Sequence, residues 1–277
     1  MYKIVEKQVL NEVVRKIIID TPFVARKAEP GQFVIIRAYS DSERIPLTIS
    51  DYNREKGTIT LIYQVVGAST MELDRLNQND FVNDVVGPLG TATDLSRASR
   101  AVVVGGGVGS AIAYPIVKKL KETGKEVDAI VGFRNKELVI LEEEFKKSSD
   151  NFVIMTDDGS YGEKGLVTNA LEKLINEGNE YDEVFAIGPI VMMKFVTEVA
   201  KKHNIKITVS MNPIMIDGTG MCGGCRLTVG GETKFACVDG PDFDGTLVDF
   251  DEVMRRNNTY KEFEIHAREQ ECNLLKK

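Results

Sequence analysis

The chain has 277 residues, 43% hydrophobic and 28% charged, the proportions of a folded protein with room for about two cores. Its 42 acidic residues outnumber 35 basic ones for a net charge of -7, which argues against a phosphate-neutralising nucleic-acid surface. No apolar run has the length of a membrane span, and Met1-Tyr2-Lys3 opens straight onto alternating residues, so a cytoplasmic protein without membrane contact is expected.

The first hundred residues alternate short Val-, Ile- and Thr-rich runs with turn chemistry. Strands are predicted over 3–10, 13–20, 32–38, 46–50, 58–66 and 80–86, bounded by Thr21-Pro22, Pro30-Gly31, Lys56-Gly57 and Gly87-Pro88, with a short helix over 69–76. Roughly six such strands suggest a small antiparallel barrel or sandwich. After Ser99 the period lengthens, and buried-type strands over 101–104, 126–133, 152–156, 183–187 and 206–210 alternate with helices over 142–147, 165–177 and 189–203. That order predicts a doubly wound parallel sheet. From about Met211 the chain turns glycine-rich around its cysteines. The expected division is therefore 1–97, 98–211 and 212–277: barrel, α/β sheet, and a small cysteine-bearing segment.

Gly105-Gly106-Gly107-Val108-Gly109-Ser110 joins the first sheet strand to a helix. Missing side chains there let a pyrophosphate approach the backbone and the helix N-terminus. Ser110 stands where the fingerprint has its third glycine, and a tight turn without a ligand is the competing reading. Two more strand ends point to the same edge, where open α/β sheets bind ligands: Asp157-Asp158 and Gly188-Pro189. A carboxylate at this position accepts ribose hydroxyls and repels a 2′-phosphate, favouring NAD(H); Arg134, which could pair with such a phosphate, argues the other way. Asp157 and Asp158 are equally good turn caps. In the barrel, Ser69 and Thr70 open the short helix after Gly67, either as phosphate-binding amides or as plain caps.

The four cysteines are Cys222, Cys225, Cys237 and Cys272. In a reducing compartment such grouping points to metal before disulfides. Plant-type iron–sulfur sites space their ligands C-x4-C-x2-C with a distant fourth; here Asp217-x4-Cys222-x2-Cys225 precedes Cys237, with an acid at the first thiolate position. Three thiols and a carboxylate also suit zinc. Cys272 stands apart as a free thiol. His203 and His266 have no nucleophile or acid partner nearby in sequence, and no nucleophile elbow or P-loop occurs, so the chemistry is expected to belong to bound cofactors.

In their order, Pro46-Leu47-Thr48, Gly67-Ala68-Ser69-Thr70, the glycine turn and the cysteine tail resemble the ferredoxin-NADP reductase-like flavoproteins. The tail is closer to the electron-transfer subunit of dihydroorotate dehydrogenase. Within that group, Asp217, the preceding Asn212-Pro213-Ile214-Met215 and the following Cys237-Val238-Asp239-Gly240-Pro241-Asp242-Phe243 look most like the small subunits of NADH-dependent reduced ferredoxin:NADP oxidoreductases and sulfide dehydrogenases. The resemblance covers about residues 1–256.

It implies an FAD-binding β-barrel, an NAD-binding sheet and a small [2Fe-2S] domain. It also implies a role as the electron-transfer subunit of a flavin-based electron-bifurcating complex, partnered by a larger flavin and iron–sulfur subunit. Ile45-Pro46-Leu47-Thr48 then lies along the flavin, with Arg44 one position from the family arginine and Leu47 where plant-type relatives stack an aromatic ring. Ile62-Tyr63-Gln64, Gly67 and Ser69-Thr70 match the other flavin segments, and Thr48 is the candidate for a hydrogen bond at the flavin's reactive edge. The nicotinamide lies over Gly106 to Gly109. Asp217, Cys222, Cys225 and Cys237 are the implied cluster ligands. The alternatives are the same module serving a dihydroorotate dehydrogenase, sulfide dehydrogenase or hydrogenase partner, and a non-catalytic zinc-binding adaptor.

Overall fold

The computed structural model describes the backbone of residues 1–274 and the side chains of residues 1–270, so Cys272 lies outside the described side chains. The barrel half contains β1 (Tyr2–Val9), β2 (Val14–Asp20), α1 (Pro22–Lys27), β3 (Phe33–Arg37), β4 (Ile45–Asn53), β5 (Thr58–Gln64), α2 (Ala68–Arg75), β6 (Phe81–Val82) and β7 (Asp84–Leu89). Its strands form one antiparallel sheet in the order β6-β1-β2-β5-β4-β3-β7. Period-two alternation sets the register. Ile17 and Ile19 of β2 lie opposite Leu61 and Ile59 of β5, and all four are fully buried in the barrel core.

Three details depart from the sequence expectation. Thr21-Pro22 opens the helix α1, with Pro22 in its first turn, where its missing N–H costs nothing; Val24 and Ala25 gain burial from it. The expected strand over 80–86 breaks at Asn83, whose N–H donates to the carbonyls of Arg37 and Ala38. The sheet then continues through Gly87-Pro88 to Leu89, which pairs with Phe33.

The second half contains β8 (Arg100–Gly106), α3 (Ser110–Glu122), β9 (Glu126–Phe133), α4 (Glu142–Ser148), β10 (Asn151–Thr156), β11 (Glu163–Lys164), α5 (Val167–Asn176), β12 (Glu183–Ile187), α6 (Ile190–Lys202) and β13 (Lys206–Ser210). After these come β14 (Arg226–Val229), β15 (Glu232–Phe235), β16 (Asp242–Asp244), α7 (Phe250–Asn257) and α8 (Lys261–Leu274). The sheet order is β11-β10-β9-β8-β12-β13-β16. Winding reverses between β8 and β12, which makes their carboxyl ends the switch point. The sheet is buried on both faces: Val102 and Val104 face α5 and α6, while Ala101 and Val103 face α3 and α4. A helix layer on each face is what makes these strands continuously apolar.

The cysteine-bearing segment is woven into this frame. β14 and β15 form a hairpin, and β16 returns as an antiparallel edge strand on β13, pairing Ser210 with Asp242. Asp242 accepts the Thr93 hydroxyl at 2.6 Å, while its Oδ1 is buried without a partner. Burial pushes this carboxyl above the usual carboxylate range. The unfolded chain therefore gives up this proton first, and the group's contribution to stability falls as pH rises from about 4 toward the raised folded value. Asp242→Asn, a neutral isostere, should flatten that decline and raise stability at pH 7, read as the difference between the two proteins' thermal unfolding across pH.

Candidate functional site

A mostly apolar cleft of about 800 Å³ opens between the barrel and the carboxyl edge of the parallel sheet. The barrel supplies Pro46, Leu47 and Thr48 from β4, Ile62, Tyr63 and Gln64 from β5, and Thr70 from α2. Thr48 is half-buried, and its hydroxyl bonds to no other group among the described residues. Thr70 caps α2, its hydroxyl accepting the N–H groups of Val66 and Gly67, both at 3.0 Å. This is the cap reading, and it still leaves Thr70 in the cleft wall.

Opposite stand Gly106, Gly107, Val108 and Gly109, with Gly188 and Pro189 from the neighbouring strand end. These glycines bring two turns into backbone contact: a Cβ on Gly109 would sit 2.7 Å from both the Gly188 Cα and the Ile187 carbonyl oxygen. Gly107, at φ +56°, has nothing within 4 Å of a Cβ and faces open space. Arg134 and Asp157 complete this wall. Neither side chain has a partner among the described residues.

Several expected residues lie off the cleft. Asp158 caps its own turn, accepting the Ser160 N–H at 2.9 Å; the Ser160 side chain first, and that N–H second, hold its carboxyl below the usual range. Arg44, Ile45, Gly67 and Ser69 lie outside the lining. The Ser69 hydroxyl donates to Glu43 at 2.9 Å and so ties the loop carrying Arg44 to the start of α2. Sequence reasoning missed Phe33, Val191, Met192 and Phe195, and also the stretch Ser210 to Pro213 with Met215 and Pro241. A signal for α6 was present: Val191 and Phe195, one turn apart, form a second apolar stripe beside the one that buries Met193, Val196 and Ala200.

The cysteine loop begins where that last stretch ends. Gly218, Gly220 and Gly223 have φ of +76°, +84° and +67°, turns that only glycine makes cheaply. A Cβ on Gly218 would meet Ile35 at 2.9 Å, so the loop rests on β3, the strand that brings Phe33 to the cleft. Asp217 accepts the N–H groups of Thr219 at 2.7 Å and Cys222 at 3.1 Å. The Thr219 bond leads in holding its carboxyl below the usual range. Cys222 is exposed, whereas Cys225 and Cys237 are buried. The Cys237 N–H donates to the Cys225 sulfur at 3.4 Å, and burial followed by this neighbour pushes the Cys237 thiol up to about 12.

Among the described residues no three His, Cys, Asp or Glu side chains converge as a ready metal site. The four expected ligands share one loop and its adjoining hairpin, but Asp217 spends its oxygens on loop amides. The donor set still fits an iron–sulfur cluster: three thiols and an ionised carboxylate on a loop whose glycines leave its amides bare.

Residues 212–249 match the family model for the iron-sulfur cluster binding domain of dihydroorotate dehydrogenase B. The dihydroorotate dehydrogenase B (NAD(+)), electron transfer subunit homolog of Thermotoga maritima is 47% identical, covering 92% of this chain and 93% of that protein. The chain belongs to the dihydroorotate dehydrogenase B electron-transfer subunit family. Among its relatives is an uncharacterized protein of Clostridium beijerinckii, 50% identical over 94% of this chain and 91% of that one. A chain from a structure of the NADH-dependent reduced ferredoxin-NADP oxidoreductase, solved for insight into flavin-based electron bifurcation, superposes on this electron-transfer subunit. Its TM-score is 0.92 at 44% identity, covering 98% of this chain and 97% of that one. Among the described residues no helix is long and apolar enough to cross a membrane.

Proposed function

We propose that this chain is the electron-transfer subunit of a flavin-based electron-bifurcating, NADH-dependent ferredoxin:NADP oxidoreductase, using NAD(H), FAD and a [2Fe-2S] cluster. The observation that carries this reading is the composition of one cleft. Flavin-type barrel segments, the glycine turn at the sheet's switch point and the flank of the cysteine segment, Ser210 to Pro213 with Met215 and Pro241, all line it. Functionally the chain divides near residues 97 and 211 into flavin, nicotinamide and cluster parts.

Pro46, Leu47, Thr48, Ile62, Tyr63, Gln64 and Thr70 are assigned to the FAD, with Arg44, Ile45, Gly67 and Ser69 beyond the cleft toward its phosphates. Gly106 to Gly109, Gly188, Pro189, Arg134 and Asp157 are assigned to NAD(H), and Asp217, Cys222, Cys225 and Cys237 to the cluster. When bound, the flavin would convert the two-electron chemistry of nicotinamide into the one-electron chemistry of an iron–sulfur centre. The chain's own part is to hold donor and acceptor in near-attack geometry within this mostly apolar cleft. Among the described residues the Thr48 hydroxyl and the Asp157 carboxylate there have no partner, and Asp157 would accept ribose hydroxyls.

The purified chain should carry FAD, iron and acid-labile sulfide, and should reduce dyes with NADH far better than with NADPH. A colourless chain after anaerobic purification and added flavin overturns the reading, and zinc without sulfide favours the adaptor. Because the Thr48 hydroxyl bonds to nothing else in the described chain, Thr48→Val should keep stability and FAD content while slowing flavin reduction by NADH about 3- to 10-fold, the worth of one hydrogen bond. We also place the chain in the cytoplasm, where its thiols stay reduced, beside a larger flavin and iron–sulfur subunit. Co-purification from the native source tests that partner; recovery with a dihydroorotate dehydrogenase catalytic chain instead would reassign it.

A further inference from the structure

Two arginines grip the cysteine loop from outside. Arg226 Nη1 donates to the Gly223 carbonyl at 3.1 Å, and Arg256 Nη2 donates to the Gly224 carbonyl at 3.2 Å. These are successive carbonyls of the Cys222-Gly223-Gly224-Cys225 turn. Neither guanidinium has a carboxylate partner among the described residues.

Arg256 is delivered by α7, which is itself firmly docked. Asp249 caps the helix by accepting the Glu252 N–H at 2.8 Å, Glu252 accepts the Thr228 N–H at 2.9 Å, and Val253 is fully buried. Beside Arg256, the Asn257 side chain donates to the Asn212 carbonyl at 3.2 Å. The end of α7 thus touches the segment before the cysteine loop as well as the loop itself.

The consequence follows from peptide geometry. In a trans peptide, C=O and N–H point to opposite sides. The Gly223 carbonyl belongs to the same peptide group as the Gly224 N–H, so pulling the oxygen outward onto Arg226 turns that N–H inward. It donates to the Cys222 sulfur at 3.4 Å. By the same rule Arg256, holding the Gly224 oxygen, fixes the orientation of the Cys225 N–H. Glycine at both 223 and 224 lets these peptides turn freely; the arginine side chains, joined at the Gly223 carbonyl by the Arg226 backbone N–H at 3.4 Å, select one orientation.

We infer that Arg226 and Arg256 are positioning residues that aim the amides of this turn at the cysteine sulfurs and, with their unpaired positive charge, raise the one-electron reduction potential of the cluster. The inference rests on the reading that Asp217, Cys222, Cys225 and Cys237 hold a [2Fe-2S] centre. Such a centre becomes more anionic when it accepts an electron, so nearby cations and N–H···S bonds favour the reduced form.

The test is a redox titration of the purified full chain, followed by the spin-resonance signal of the reduced cluster. Arg226→Met and Arg256→Met should each make reduction about tenfold less favourable, a midpoint lower by about 59 mV, with iron, sulfide and FAD content retained. Arg256→Lys, which keeps the charge and loses the planar fork, should fall between wild type and Arg256→Met. Loaded variants whose midpoints match wild type overturn the inference and leave the cluster reading intact; a wild-type chain without iron and sulfide overturns the cluster reading itself. If a Met variant fails to load, the Gln variant is titrated in its place, and amide exchange of Gly224 is compared in the metal-free proteins. Faster exchange in Arg226→Met supports the orienting role, and equal protection refutes it.

Discussion

Gly109→Ala is expected to weaken NADH binding at least about tenfold and to destabilise the fold by about 1–3 kcal/mol, while FAD and iron stay bound. The direction is informative because local propensity predicts the reverse. Gly109 has helical φ and ψ at the start of α3, where Ala should stabilise by about 0.5–1 kcal/mol. What opposes it is contact: the new Cβ would lie 2.7 Å from the Gly188 Cα and the Ile187 carbonyl oxygen, and backbone cannot yield as a flexible side chain could. The two turns at the switch point must separate, and the surface proposed to hold the nicotinamide nucleotide opens with them. Gly107→Ala is the contrast: it carries the cost of φ +56° but meets no atom within 4 Å. An NADH titration and a thermal melt on each variant separate clash from backbone strain. If Gly109→Ala binds NADH as wild type does, the turn is not the nicotinamide site.

What the sequence disclosed here is what local periodicity encodes. Ile17, Ile19, Ile59 and Leu61 sit at period two within Ile- and Thr-rich runs, so β2 and β5 were visible, as was Ala101 to Val104 as a strand covered on both faces. What it withheld depends on partners distant in the chain. β16 is three residues long, Asp242–Asp244, with no pattern of its own; it exists because β13 offers an edge from Thr208 to Ser210. The cleft shows the same division. Its glycine turn and Pro46-Leu47-Thr48 carry a chemical signature, but Phe33 and Phe195 read as ordinary core or helix-face residues until the two sheets are set against each other. The cysteine spacing was legible, and the arginines gripping that turn were not, since Arg256 arrives from a helix 30 residues downstream of Arg226.

Asp217→Ala should cut iron and acid-labile sulfide by about tenfold or more, a loss on the scale of a metal site deprived of a supporting or ligating group, while FAD content and NADH-dependent dye reduction survive. Two roles could produce that loss. The carboxylate accepts the Thr219 and Cys222 amides, so it shapes the loop in the metal-free chain; as a fourth ligand it would also bind iron directly. Asp217→Asn and Asp217→Cys separate the roles. Asn retains a carbonyl oxygen to accept the Thr219 amide but lacks the charge iron requires, so a ligand role predicts loss of the cluster with the loop preserved. Cys restores an ionisable ligand at the plant-type spacing and lacks the double acceptor, so a ligand role predicts a retained cluster with an altered potential and spin signal. The loop-shaping role alone predicts the opposite pair, Asn loaded and Cys empty. Each Asp217 oxygen already accepts a loop amide, so iron bound through Oδ2 would compete with the Cys222 N–H for that oxygen; a ligand role therefore couples binding to the loop, and protection of the Cys222 amide from exchange should change when iron and sulfide are added to the metal-free chain.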